Sequence, residues 1–301
     1  MSKLARSEQP TILFAEECDR GTLREENQES VLHVPIAMGD LLIVAGGVGG
    51  YPGSATASRM AVEHLYAHLA ALPREFPVGN AIRAAAARAN EKIFAAAKIP
   101  NTPNEGMGAT VVLAVVQEGA NETRAWIGHV GDSRAYLGRA GRLHRLTTDH
   151  STVQELLSRE LISTEEAQHH PNSSLLSRSL GRQPEVEIDI EEHPLAVGDT
   201  LLLCSDGLWR FVPEPEIKKV VETPGYTVEA VANNLLELAL ASGSHNNIGI
   251  EIARLISTPE VNPVIIPQKE NYIALKLVIG MLLIAFTALC VLVYLTFFFN
   301  T

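Results

Sequence analysis

Apolar and polar positions alternate along this chain with two different periods. Short apolar runs bounded by turn residues predict strands at Thr11–Ala15, Val31–Ala37, Leu41–Ala45, Thr110–Val116, Thr123–His129, Ala135–Leu137, Thr200–Cys204 and Ile248–Leu255. Helical spacing appears between them. Ala61, Leu65, Leu69 and Leu72 share one face, as do Ile82, Ala86, Ala89 and Ile93, and later Val228, Val231, Leu235 and Leu238. Ser151 with Gln154, and Ser163 with Glu166, fit capping boxes that open two short helices. Two adjacent helices follow the early strands, and further strands precede the late helices. Segregated layers of an α+β domain are therefore expected, rather than strict βαβ alternation.

A third pattern closes the chain. Leu277 to Phe299 is uncharged, and its only polar side chains are Thr287, Tyr294 and Thr296. About 20 apolar residues at 1.5 Å rise cross a hydrocarbon core of roughly 30 Å, so this run predicts a transmembrane helix. Thr258 to Tyr272 carries Pro259, Pro263 and Pro267 and reads as a stiff linker. The expected organisation is a domain over residues 1–257, a linker over 258–272 and a membrane anchor over 273–301. Lys269 and Lys276 flank the span, and the N-terminal segment has only a short apolar stretch, Ile12 to Ala15. Both features favour a single-pass, C-terminally anchored protein with its domain on the cytosolic face.

Composition narrows the function. A net charge of -11 and the lack of a basic stripe argue against nucleic-acid binding. The three cysteines, Cys18, Cys204 and Cys290, form no spaced metal motif and suit a reducing compartment. The Gly-rich VAGGVGGYPGSATAS follows a strand and precedes a helix, yet matches neither the dinucleotide nor the Walker fingerprint.

Taken in order with GDSRAYL (Gly131 to Leu137), TTDHS (Thr147 to Ser151), LLSRSLG (Leu175 to Gly181) and LLLCSDGLW (Leu201 to Trp209), that stretch resembles the type 2C metal-dependent protein phosphatases. The resemblance runs from about Glu8 to Leu255. It implies a central β-sandwich flanked by helices on both faces (αββα), and two magnesium or manganese ions that activate a water against phosphoserine or phosphothreonine. It makes Arg24 a phosphate-binding residue, and Glu29, the carbonyl of Gly47, Asp132 and Asp206 candidate metal ligands.

Several positions depart from that pattern. In the R-x-x-N-[EQ]-D block the final acid is Glu29, one methylene longer. The V-A-D-G-x-G-G block reads Val44 to Gly50, so Gly46 stands at the metal-bridging aspartate, and Val48, which transfers no proton, at a position some members fill with histidine. The D-N-[IV]-T block begins with Asn246. Losing a bridging ligand lowers metal affinity by at least the 10–100-fold typical of outer-shell changes. The expectation is thus a membrane-anchored, phosphatase-like protein that binds a phosphoprotein or regulates a membrane partner without turnover, and that binds magnesium or manganese weakly. The alternative is an active serine/threonine phosphatase with a metal site rearranged around Glu29, Asp132, Asp206 and His245.

Overall fold

Strands with apolar side chains on both faces must be covered on both sides, and the middle strands of this chain are of that kind. In the computed structural model, which describes residues 10–49, 52–119, 122–168 and 170–257, Leu41, Ile43 and Ala45 point into one core cluster and Leu42 and Val44 into another. The strands are β1 (Thr11–Asp19), β2 (Glu29–Ile36), β3 (Gly39–Gly47), β4 (Ala109–Glu118), β5 (Thr123–Val130), β6 (Arg134–Arg139), β7 (Arg142–Arg145), β8 (Asp189–Leu195), β9 (Thr200–Cys204) and β10 (Ile248–Ile256). They form two antiparallel sheets, ordered β1-β10-β9-β6-β7 and β2-β3-β4-β5-β8. The sheets face each other across Leu42, Val44, Val112, Leu201 and Leu203.

The helices are α1 (Ser54–Ala70), α2 (Val78–Ala97), α3 (Thr152–Ser158), α4 (Thr164–Gln168), α5 (Asp206–Trp209), α6 (Glu214–Val221) and α7 (Val228–Ala241). Leu65, Leu69, Ile82 and Ile93 of α1 and α2 cover the outer face of the second sheet. Ile217, Val231 and Leu235 of α6 and α7 cover the first against Ile248, Ile250 and Ile252. This is the αββα arrangement that the sequence led us to expect. Ser151 caps α3 by accepting from the Gln154 N–H, and Ser163 and Glu166 exchange hydrogen bonds in a complete capping box.

All eight anticipated strands are present, and β7 and β8 are additions. Their sequences, RLHR and DIEEHPL, lack an apolar run because each lies at the edge of its sheet, where side chains meet water. The chain divides into two units, Met1–Glu260 and Val261–Thr301, and every described residue belongs to the first. The anticipated linker and membrane span lie outside the described residues. Among the described residues no helix is long and apolar enough to cross a membrane.

One buried charge stands out. Glu251 is fully buried on the face of β10 that carries Ala253 and Leu255, and it pairs with Glu16 of β1. Burial first, and the Glu16 charge second, push its carboxyl up to about 10. An unfolded glutamate titrates near pH 4.3, so at neutral pH folding must take up a proton. The contribution is fully present below that value and falls as pH rises toward 10, by up to about 1.4 kcal/mol per pH unit. Glu251→Gln is expected to raise the melting temperature clearly at pH 8 and little at pH 4.5, and thermal unfolding at the two pH values checks this.

Candidate phosphate and cation site

The segments that leave one end of the sandwich enclose an open cleft of about 690 Å³, lined among others by Arg24, Glu29, Gly46, Asp132, Asp206 and Asn246. These residues come from five places in the sequence, and the backbone explains how they meet. Asn247, buried just before β10, accepts from the Gln28 N–H (3.0 Å) and donates to the carbonyls of Arg20 (2.6 Å) and Glu26 (3.2 Å). It pins the loop that carries Arg24. Gly21 of this loop has φ +72° and approaches Asn246 so closely that a Cβ would lie 2.3 Å from its carbonyl oxygen. Ser205 accepts from the Gly249 N–H (2.9 Å), which fixes the end of β9 against β10 and sets Asp206 at the mouth of α5.

Glu29 and Gly46 lie directly opposite each other in the β2–β3 ladder. A Cβ at position 46 would stand 2.7 Å from Glu29 Oε1 and 3.2 Å from its carboxyl carbon. A Cβ at Gly249 would stand 3.2 Å from Oε2. Glu29 therefore places its carboxylate in space that a side chain at position 46 would need. Glu29 Oε2 is shielded from solvent and has no hydrogen-bond partner. Burial, then the charges of Asp206 and Asp132, raise this carboxyl well above the ordinary range, against a smaller opposing effect of the Ser205 hydroxyl.

The remaining acids are already engaged. Arg210 donates to Asp132 Oδ2 at 2.6 Å and places its Nε 3.0 Å from Asp206 Oδ2. That second contact is an ion pair whose angle falls short of a hydrogen bond. Asp206 Oδ2 also accepts from Asn246 Nδ2 at 3.1 Å, while Asn246 Oδ1 accepts from Arg24 at 3.0 Å. A line of contacts thus runs from Arg24 through Asn246 and Asp206 to Arg210 and Asp132. Burial and the Asp206 charge push the Asp132 carboxyl up to about 6, with Arg210 opposing.

The anticipated residues line one cleft. The side-chain oxygen of Asn246 is taken by Arg24. Asp132 pairs with Arg210 rather than with its sequence neighbour Arg134, which instead binds Asp149 (2.8 Å) and stacks on Trp209. Gly47 and Val48 line the cleft, and the aliphatic Val48 side chain offers it no polar atom. His245 also lines it and packs edge-on against Phe211. Sequence reasoning missed Arg210, Ser205 and Asn247. Only Arg210 left a signal, as the basic residue one helical turn after Asp206.

A second cluster, His129, His150 and Asp189, presents three ligand atoms within 4.8 Å of one another. His150 Nδ1 accepts from the Gly131 N–H, so its proton sits on Nε2, 3.2 Å from Asp189, and His129 Nε2 donates to the Thr148 carbonyl. These hydrogen bonds tie the two stacked histidines to the fold and leave His150 no lone pair for a cation.

A family model described as Protein phosphatase 2C matches residues 24–238. The chain belongs to the protein phosphatase 2C family. A serine/threonine phosphatase, stp, of Listeria monocytogenes is 35% identical over 241 residues, which cover 77% of this chain and 91% of that protein. The structure of the S. agalactiae serine/threonine phosphatase covers 81% of this chain and 99% of its own, with a TM-score of 0.75 and 28% identity. The catalytic domain of the phosphatase PstP, solved in complex with two manganese ions, covers 81% and 98% respectively, with a TM-score of 0.69 and 32% identity.

The cleft's donor set can be tested against such ions. Hard cations take carboxylate oxygens, and the unpartnered Glu29 Oε2 beside Asp206 and Asp132 fits one of them. It does not fit a closely bridged pair, since position 46 carries no side chain and Asn246 no charge. The fit between Glu29 and Gly46 also predicts a compensation. Gly46→Asp alone crowds Glu29 and should destabilise the fold by about 1–3 kcal/mol. Adding Glu29→Asp should recover most of that loss, as a double-mutant cycle by urea unfolding will report.

Proposed function

We propose that the domain acts on phosphorylated serine or threonine residues of proteins, and that it hydrolyses them at a centre rearranged around Glu29. The observation that carries this reading is the buried, unpartnered Glu29 oxygen in the space left by Gly46. A carboxylate oxygen taken from water without a partner is costly, and a hard cation is the partner that suits it. The names of the relatives support the same activity.

Each residue has a task in this reading. Arg24, exposed at the rim, turns its guanidinium from Asn246 to a phosphoryl group, which offers it two charge-assisted bonds. Glu29 and Asp206 would hold the cation, with the Ser205 hydroxyl and the Asn246 amide beside those two acids. Val48 keeps one wall of the cleft apolar. A bound cation would supply Lewis-acid polarisation of the phosphoryl oxygens and a water of lowered pKa.

Two neutral positions, Gly46 and Asn246, favour a second reading, in which the same cleft holds the phosphoprotein without turning it over. The apolar run Leu277 to Phe299 supports, in either case, a tether that keeps the domain at a membrane, within reach of a phosphorylated membrane partner.

Both readings are tested with the full chain in detergent and a phosphothreonine peptide, with and without manganese. Manganese-dependent phosphate release that Glu29→Gln abolishes is the expected result. Peptide binding without release would favour the second reading, and neither release nor binding would sink both. Arg24→Ala is expected to weaken peptide binding about 10–100-fold, the worth of charge-assisted hydrogen bonds to phosphate.

A further inference from the structure

We propose that Arg210 is a built-in competitor of the divalent cation, a guanidinium that occupies the carboxylate oxygens a metal would take and must swing aside to admit it. Its two nitrogens lie 2.6 Å from Asp132 Oδ2 and 3.0 Å from Asp206 Oδ2, so one side chain spans both acids. Asp206 Oδ2 accepts from the Asn246 amide as well, so a cation there meets one hydrogen-bond donor and one guanidinium already in place.

Arg210 is not a surface arginine that happens to lean inward. Its side chain is four-fifths buried, and the same nitrogen that holds Asp132 also donates to the Ser173 carbonyl at 3.2 Å. Its guanidinium lies over the Trp209 ring, 4.7 Å from the centroid. The Trp209 indole is itself fixed from two sides, since it donates to the Asp132 carbonyl at 2.9 Å and has Arg134 3.4 Å above its ring. Asp206 and Arg210 are one helical turn apart in the segment that forms α5, which puts both on the cleft side. The guanidinium is thus held where it faces the acids.

Charge explains what this does. Glu29, Asp132 and Asp206 converge, and without a cation their mutual repulsion has to be met by something. Arg210 meets part of it and leaves the shielded Glu29 Oε2 without a hydrogen-bond partner. A dication that approaches Asp206 must therefore either displace a positive charge or tolerate one a few ångströms away, and both lower its affinity.

The inference rests on the reading that these acids receive a cation, and the experiment separates the two. Manganese alone is titrated into the full chain in detergent at fixed pH and salt, with free manganese followed by its paramagnetic resonance signal. Arg210→Gln keeps the length and loses the charge, and it is expected to bind manganese at least tenfold more tightly than the unaltered chain. Arg210→Lys keeps the charge but has one nitrogen for two carboxylates, and it should fall between them. Equal affinity in all three, or no binding in any, overturns the proposal. If Arg210→Gln fails to fold, the lysine variant decides alone, since an affinity unchanged from the natural chain overturns the proposal. Adding Asp206→Asn should abolish the gain. Tight binding that ignores Asp206→Asn and Glu29→Gln would mean the ion sits elsewhere, and the cation reading fails with the proposal.

Discussion

Everything at the open end of this sandwich answers to one constraint, the neutralisation of carboxylates that the fold brings together. Glu29, Asp132 and Asp206 arrive from three different strands' ends and face the same cleft. Burial and mutual repulsion raise the carboxyls of Glu29 and Asp132, and the nearby cations and amides are arranged in reply. Arg210 takes two of the acids, Asn246 shares one of them, and Arg24 holds Asn246. What is left over, a single shielded oxygen of Glu29, is the point at which the site asks for an ion or a proton.

Glu29 and Gly46 are best understood as one feature. Their backbones are paired, and the longer acid occupies the room that the glycine provides. The Glu29 carboxylate stands where a Cβ at position 46 would meet it at 2.7 Å. Substitution at either position should therefore depend on the other, which is how neighbours in one packed site behave.

Most of the fold was legible in the sequence because most of it rests on apolar pattern. β3 and β4 read as strands since they are buried on both faces, and α1 and α2 show the 3.6-residue repeat of helices with one covered face. The edge strands β7 and β8 escaped because half-exposed edges carry no such pattern. The site was legible as a set of positions, since Arg24, Glu29, Gly46, Asp132, Asp206 and Asn246 all line the cleft. Their pairing was not. Arg210 meets Asp132 across 78 residues, and Arg24 meets Asn246 across 222, distances over which no local spacing carries information.

That long reach has a consequence for how the protein is made. Asn247, which pins the loop bearing Arg24, sits at the threshold of β10, and β10 is the strand that pairs with β1. The first strand of the domain must wait for the last. A nascent chain emerging from the ribosome can pack α1 and α2 on the sheet of β2 to β5 early, because those contacts close within the first half of the domain. The edge that carries Arg24 closes only when β10 has been released, so a chain that stops short of β10 lacks the contacts that assemble the cleft.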